Sequence, residues 1–104
     1  MKAIQTDRAP AAIGPYSQAI VHGGLVYCSG QVALSPEGNW CPGTAAEEAR
    51  LALSNLSAVL ESAGARLNTT LKVTVYLIDM SDFAEVNAVY AEFFADHRPA
   101  RACV

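Results

Sequence analysis

The most regular hydrophobic pattern along the chain lies between residues 44 and 64. Apolar residues recur there at spacings of three and four, which predicts one buried stripe of an amphipathic helix. Thr44 is suited to cap the helix, Glu47 completes a capping box, and Gly64 can take the left-handed conformation that ends a helix. The predicted stripe consists of Ala49, Leu53, Leu56, Leu60 and Ala63.

A second helical pattern occupies the stretch SDFAEVNAVYAEFFADH. Apolar residues again recur at helical spacing, and either Ser81 or Asp82 can cap the start. The acidic residues Glu85, Glu92 and Asp96 fall on the opposite side. The predicted buried stripe consists of Phe83, Val86, Tyr90 and either Phe93 or Phe94.

Two further patterns indicate strands. Between the helices, LKVTVYLI alternates and is rich in β-branched residues, which predicts a strand with two different faces. The pair Gly23-Gly24 is suited to the positive dihedral angles of a tight hairpin turn, which predicts strands over 17–22 and 25–31. The faces of the later strand carry Val73, Val75 and Leu77 on one side and Lys72, Thr74 and Tyr76 on the other.

The order of these elements favours an α+β fold. It runs strand, hairpin, helix, strand, helix and a final strand that begins at Arg101, with both helices on one face of the sheet. The other face would carry Tyr76, Thr74 and alternate residues of the hairpin, and it would be too apolar to face water. We therefore expect self-association to cover it, although this pattern does not determine the number of subunits.

Length and composition narrow the class of protein. A chain of 104 residues predicts a single domain. Hydrophobic residues make up 52% of the chain, but no apolar run approaches the roughly 18 residues of a membrane span. The opening stretch MKAIQTDRAPAAIGP lacks the apolar core of a signal peptide. These features predict a cytoplasmic protein.

Charge and cysteine spacing exclude further classes. Seven Lys and Arg residues against ten Asp and Glu residues give a formal charge of −3, which would repel a nucleic acid backbone. Nucleic acid is therefore not an expected partner. Cys28, Cys41 and Cys103 form no C-x-x-C pair and have no nearby histidine, which argues against a zinc site and favours free thiols. Cys28 is interpreted as a small buried residue and Cys41 as a loop thiol.

Five segments carry a resemblance that spans essentially the whole chain. They are IGPYSQAI at 13–20, CSGQV at 28–32, LESAGA at the end of the first helix, VYLIDMSDFAEVNAVYAEFF at the strand–helix junction and PARACV at 99–104. In this order and spacing they resemble the RidA/YjgF family of enamine/imine deaminases, formerly described as endoribonuclease L-PSP.

The resemblance implies a chorismate-mutase-like fold with a mixed sheet and two helices on one face. It also implies a homotrimer whose sheets form a barrel, with sites in the clefts between subunits. Family members hydrolyse reactive 2-imino acids and enamines of the 2-aminoacrylate type to 2-oxo acids and ammonia, without metal or organic cofactor. The expected partners are therefore small 2-imino and 2-oxo acids and further copies of the chain.

The resemblance also implies site residues, of which Arg101 is the expected catalytic one. It matches a family arginine that resembles a carboxylate clamp, and a planar guanidinium can hold both oxygens of a carboxylate. A surface arginine at the start of an edge strand is the alternative interpretation. Arg98 is interpreted as a plain surface residue.

Four further residues match substrate-binding positions of the family. Tyr16 would wall the site, with loop packing as its alternative role, and Ser29 would lie beside the ligand or serve only as a small residue at a strand end. Asn87 interrupts the apolar stripe of the second helix, where a polar side chain needs a hydrogen bond or a cleft. Asn87 would either line the site or connect the helix to a strand by a hydrogen bond. Cys103 has no activating neighbour and is expected only to line the site.

The family pattern continues beyond PAR-x-x-V, through a loop and a further strand with a glutamate thought to hold the attacking water. The single RidA-like domain of residues 1–104 is expected to lack that strand. Imine or enamine deamination is the leading function. A non-catalytic binding or regulatory role toward small carboxylates is the alternative, and the net charge argues against the endoribonuclease or translation-inhibitor role described for some RidA-like proteins.

Overall fold

The computed structural model describes all 104 residues and has the α+β composition that the sequence predicts. Two helices are each followed by a strand, and two short 3₁₀ turns lie between the two helices, at Leu67–Thr69 and Met80–Asp82. Neither helix is long and apolar enough to cross a membrane. The main elements are β1 (Lys2–Ile4), β2 (Ala19–His22), β3 (Leu25–Cys28), α1 (Ala45–Ser62), β4 (Lys72–Val75), α2 (Phe83–Phe94) and β5 (Ala100–Cys103).

The ends of α1 follow the predicted signals. The Thr44 hydroxyl accepts a hydrogen bond from the Glu47 backbone N–H at 3.1 Å, and the Glu47 carboxylate accepts one from the Thr44 N–H at 2.9 Å. These two bonds complete the capping box and hold the pKa of Glu47 below its ordinary value. Gly64 has φ +83 just beyond the helix, in the left-handed region that glycine reaches most easily.

The predicted buried stripe of α1 is buried at only one of its five positions. The buried residues are Asn55, Ala58, Val59 and Leu60, so only Leu60 belongs to both sets. The other predicted positions are half-buried. The reason is that α1 packs on the hairpin and on α2, so apolar side chains are needed on more than one side of the helix.

The start of α2 also differs from the prediction. Neither Ser81 nor Asp82 caps it through a side chain, because a 3₁₀ turn precedes the helix and moves the cap upstream to Asp79. The Asp79 carboxylate accepts a hydrogen bond from the Ser81 backbone N–H at 2.9 Å, which lowers the pKa of Asp79. The buried residues of α2 are Val86, Val89 and Phe94.

The strands form two hydrogen-bonded sheets rather than the one mixed sheet that was expected. One is antiparallel with the order β1-β2-β3, and the other is the parallel pair β4-β5. No strand of this chain joins the free edge of β3 to the parallel pair, so the two ladders stay separate. The hairpin turn is confirmed, since Gly23 and Gly24 both have positive φ and connect the paired residues His22 and Leu25.

The two faces of β4 are as predicted. Val73, Val75 and the following Leu77 are half-buried on the inner side, whereas the outward residues are exposed. Tyr76 is 80% exposed and Tyr27, on β3, is 59% exposed. The outer side of the sheets is therefore an open surface with aromatic side chains.

The main core lies between α1 and the antiparallel sheet. Val59 is fully buried there with Ala58, and both pack against Ile4, Ala9 and Ala19. Small residues on both sides allow the helix to approach the sheet closely. This contact positions α1 and, through α1, the second helix.

A buried glutamine organises the segment that leads to Tyr16. The side-chain carbonyl of Gln18 accepts a hydrogen bond from the Thr6 backbone N–H at 2.8 Å. Its amide nitrogen lies 2.8 Å from the Pro10 carbonyl oxygen, 3.2 Å from that of Thr6 and 3.4 Å from that of Ala9. Gln18 therefore holds residues 6–10 against β2 and fixes the start of the 11–16 loop.

Replacing Gln18 by leucine should lower the free energy of unfolding by about 2–4 kcal/mol, because several buried backbone groups lose their partner. Urea unfolding measures this change. Gln5→Leu is the matched control, since Gln5 is exposed and its side chain makes no hydrogen bond. That variant should change stability by less than about 0.5 kcal/mol. Equal losses in the two variants would contradict the role of Gln18.

Candidate active site

Arg101 lies on β5 and extends across α2. Its guanidinium donates a hydrogen bond to the side-chain carbonyl oxygen of Asn87 at 2.6 Å. The guanidinium carbon lies 4.8 Å from the centre of the Tyr90 ring and 5.5 Å from the centre of the Phe83 ring. Three side chains of one helix therefore surround this cation, and we call Phe83, Asn87 and Tyr90 the α2 cradle.

The cradle follows from helix geometry. Its members are spaced by four and then three residues, so they form one line along the surface of α2. An aromatic face attracts a guanidinium by about 0.5–1 kcal/mol at an exposed position. Two rings and one amide therefore restrict the rotation of Arg101 more than a single hydrogen bond would.

The guanidinium keeps donors available for a ligand. Arginine has five N–H groups in a planar fork, and Asn87 is the one protein acceptor of the Arg101 side chain. No carboxylate forms an ion pair with Arg101. The remaining donors can bind an anion with two oxygens in the plane of the fork.

Tyr90 lies between the Arg101 guanidinium and a further aromatic ring of α2. Its ring stacks on Phe94 with centroids 4.4 Å apart and an interplanar angle of 28°. Its hydroxyl oxygen is buried and has no hydrogen-bond partner. Burial raises the pKa of the Tyr90 hydroxyl, and the charge of Arg101 partly opposes this rise. The phenol therefore stays neutral at physiological pH.

The cradle opens into a concave surface of about 450 Å³, which we call the Arg101 cleft. One wall belongs to α2, and the other belongs to the turn from α2 into β5. The cleft is lined by Asn87, Tyr90, Ala91, Phe94, Ala95, His97, Arg98, Pro99 and Arg101. Cys103 follows Arg101 by two residues on β5, so both fall on the same face of the strand, and its thiol is half-buried and free.

Tyr16 and Ser29 lie at a different place on the chain. Tyr16 is 51% exposed and lines a smaller depression of about 190 Å³ next to β1. The Ser29 hydroxyl donates to the Ser17 carbonyl oxygen at 2.6 Å, and the Ser29 N–H donates to that of Gln18 at 3.0 Å. Ser29 thus ties the end of β3 to the residues after Tyr16.

The structure therefore brings the predicted residues together in two groups. Arg101 contacts Asn87 and shares its strand with Cys103, whereas Tyr16 and Ser29 form the second group. The two depressions share no lining residue. Within one chain, Arg101 and Tyr16 do not line a common cleft.

Three residues near Arg101 were not among the predicted site residues. Phe83 and Tyr90 were interpreted only as parts of an apolar stripe, and Arg98 only as a surface residue. The spacing of Phe83, Asn87 and Tyr90 is visible in the sequence, but nothing in it shows that β5 brings Arg101 to this line. Only the packing of strand against helix reveals the cradle.

The remaining thiols and histidines lie apart from one another. No group of three or more His, Cys, Asp or Glu side chains could hold a metal ion. Cys28 is exposed, so its interpretation as a buried residue is wrong, although partial burial still raises the pKa of its thiol. Cys41 is exposed in a loop, as interpreted. His97 lies with Nε2 2.6 Å from the Thr70 carbonyl oxygen and so connects the end of α2 to the segment before β4.

The chain is similar to characterised proteins over nearly its whole length. A family model described as Endoribonuclease L-PSP matches residues 6–104. The 2-iminobutanoate/2-iminopropanoate deaminase of Mus musculus is 50% identical over 102 residues, which cover 97% of this chain and 76% of the mouse protein.

Solved structures show the same similarity. One is a Thermotoga maritima protein that is named as a proposed endoribonuclease. It matches with a TM-score of 0.97 and 47% identity, covering 100% of this chain and 83% of that chain. Escherichia coli TdcF with bound serine has a TM-score of 0.94 and 41% identity, covering 100% of this chain and 84% of that one.

Replacing Tyr90 by phenylalanine should leave the free energy of unfolding unchanged or raise it by about 1 kcal/mol, since a buried hydroxyl without a partner costs free energy. Tyr90→Leu should lower it by about 2 kcal/mol, because the ring also stacks on Phe94. Thermal unfolding of both variants measures the difference. A loss above about 1 kcal/mol in Tyr90→Phe would show that the hydroxyl has a partner.

Proposed function

Because the chain belongs to the endoribonuclease L-PSP family, the RidA/YjgF family that its motifs resemble, we propose that it is a deaminase of reactive 2-imino acids. The substrates are 2-imino acids and their enamine tautomers, such as 2-aminoacrylate, and the products are 2-oxo acids and ammonia. The observation that carries this proposal is the guanidinium of Arg101, which is held by the α2 cradle, lines an open cleft and keeps donors without a protein partner.

The chemistry fits such a site. Water adds to the carbon of the C=N bond, a proton moves to the nitrogen, and the C–N bond of the resulting carbinolamine breaks to leave a 2-oxo acid and ammonia. The protonated imine carbon is already electrophilic, so correct placement of substrate and water supplies much of the rate. Arg101 would hold the carboxylate that is bonded to this carbon and so fix its position.

Asn87 would act on the substrate through Arg101. Its carbonyl oxygen takes one N–H of the guanidinium and leaves the other donors of the fork without a protein partner. No Asp or Glu lines the Arg101 cleft. A carboxylate that positions the attacking water would therefore come from outside this lining. The addition of water and the cleavage of the C–N bond require no metal or organic cofactor.

We further propose a homotrimer with its sites between subunits. Tyr16 lines a depression apart from the Arg101 cleft, and Ser29 is bonded to the residue after Tyr16, so a complete site would take the first group from one subunit and the second from its neighbour. The exposed outer side of the sheets, with Tyr27 and Tyr76, is the surface that such an assembly would cover. Tyr16 would then wall the site across the interface.

Two other functions are compatible with the same cleft. A non-catalytic protein that binds or senses small carboxylates would use Arg101 in the same way. An endoribonuclease role is favoured by the description of the family model and by the name of the Thermotoga maritima relative, whereas the formal charge of −3 opposes binding of an RNA backbone. Turnover of imines distinguishes the deaminase from both.

Replacing Arg101 by alanine should lower kcat/KM for freshly generated 2-iminobutyrate and 2-iminopropionate by about 100-fold or more, since each charge-assisted hydrogen bond is worth about 1.5–3 kcal/mol. Arg101→Lys keeps the charge but loses the fork, so it should recover little activity. Release of 2-oxo acid in a coupled assay measures both. Arg66→Gln is the control, because Arg66 is exposed and lies outside the cleft.

The outcomes separate the candidate functions. Unimpaired turnover by Arg101→Ala would refute the clamp. A wild-type protein that binds 2-oxo acids through Arg101 but never hydrolyses imines is a sensor. Cleavage of RNA without imine turnover would favour the endoribonuclease role.

Light scattering of the wild-type protein at micromolar concentration should give the mass of three chains. Tyr76→Lys should weaken this assembly, because it places a charge on the outer side of the sheets. Lys72 is exposed on β4, the strand that Tyr76 follows, and it is already charged, so Lys72→Arg serves as the control. A stable wild-type monomer would contradict the trimer.

A further inference from the structure

We propose that Arg98 gives the Arg101 cleft a second anion-binding position, which selects 2-imino acids that carry a second negative charge. The substrate class is that of 2-imino dicarboxylic acids, with one carboxylate on Arg101 and the distal one on Arg98. This proposal rests on the proposed function, because Arg101 must hold the carboxylate next to the imine carbon.

The charges around the cleft support a dianionic ligand. Its lining includes the cations Arg98 and Arg101 but no acidic residue, although the whole chain has a formal charge of −3. The nearby Glu92 is occupied by an ion pair with Arg50 at 2.9 Å, and Asp96, which lies between two lining residues, is exposed and is not part of the lining. A concave surface lined by one sign of charge concentrates ligands of the opposite sign.

Arg98 is free to bind such a ligand. The ion pairs of the structure join Arg8 to Glu61 and Arg50 to Glu92, and Arg98 takes part in neither. Its side chain donates no hydrogen bond to the protein. Arg66 is also exposed and unpaired, but it does not line the cleft. Arg98 is distinguished from an ordinary surface arginine by its place on the same concave surface as Arg101.

The backbone keeps the two arginines at a restricted separation. Pro99 and Ala100 are the residues between them, so their Cα atoms are at most about 10 Å apart, at roughly 3.3 Å per residue. Proline fixes its own φ, which limits the shapes of this short segment. Both side chains are long enough to bind opposite ends of one small ligand between these positions.

The turn that carries Arg98 is anchored on both sides. The His97 N–H donates to the Phe94 carbonyl oxygen at 3.0 Å, and the Ala100 N–H donates to that of Leu71 at 3.0 Å. Nε2 of His97 also contacts the Thr70 carbonyl oxygen at 2.6 Å. The backbone of Arg98 therefore has a defined position relative to β5, and only its side chain needs to order on binding.

The effect of Arg98 should be moderate and specific for the second charge. An exposed ion pair is worth up to about 1 kcal/mol, which corresponds to a ratio of roughly five in Kd. The ratio should fall as salt increases, because the outer carboxylate remains partly in water. The affinity for a monocarboxylate should not depend on Arg98.

Product analogues test this without turnover. We would measure the Kd of 2-oxoglutarate and of 2-oxobutyrate by calorimetry, at low and high salt, for the wild type, Arg98→Gln, Arg66→Gln and Arg101→Ala. We expect Arg98→Gln to weaken 2-oxoglutarate about fivefold and to leave 2-oxobutyrate unchanged. Arg66→Gln removes the same charge elsewhere and should change neither. Hydrolysis of freshly generated 2-iminoglutarate should decline with Arg98→Gln in the same ratio.

Each outcome has a separate meaning. Equal weakening of both oxo acids by Arg98→Gln, or equal effects of Arg98→Gln and Arg66→Gln, would overturn the second anion position. Unchanged affinities of Arg98→Gln for both oxo acids would also overturn it. If Arg101→Ala leaves both affinities unchanged, the carboxylate clamp of the proposed function fails. If Arg101→Ala abolishes both while Arg98→Gln changes neither, only the dicarboxylate proposal fails.

Discussion

The packing of α1 on two neighbours is the constraint on which the rest of the structure depends. Val59 and Ala58 are buried against the antiparallel sheet, while another side of the same helix contacts α2. The ion pair of Arg50 with Glu92 and the position of Arg50 over Phe93 add polar contacts between the helices. If α1 moved, α2 would move with it, and the α2 cradle would no longer meet β5.

The candidate site inherits its geometry from this arrangement. Arg101 belongs to a strand and its three cradle partners belong to a helix, so the site exists only where the two elements pack together. The segment before Tyr16, which the proposed trimer would bring to the site, is held by the buried amide of Gln18. Two separate scaffolds thus position the two groups of site residues, which is the arrangement that a site shared between subunits would use.

Net charge is a poor guide to this cleft. The acidic balance of the chain describes its average field, whereas the Arg101 cleft is lined by arginines and contains no carboxylate. A small anion that enters the cleft responds mainly to these near charges, since salt screens more distant ones beyond about 10 Å. An acidic protein can therefore carry a binding site for acidic ligands.

Local signals in the sequence determined the elements and the family. The capping box at Thr44, the Gly23-Gly24 turn and the alternation of β4 act between residues close along the chain, so they could be predicted and are confirmed. The motifs that include Arg101 and Asn87 indicated the family without showing that the two side chains touch. The tertiary structure alone decided which side of α1 is most buried, that Asp79 caps the 3₁₀ turn before α2, and that the strands form two separate sheets. It also decided that Phe83 and Tyr90 lie against Arg101 and that Arg98 lines the same cleft, because these positions depend on packing rather than on sequence spacing.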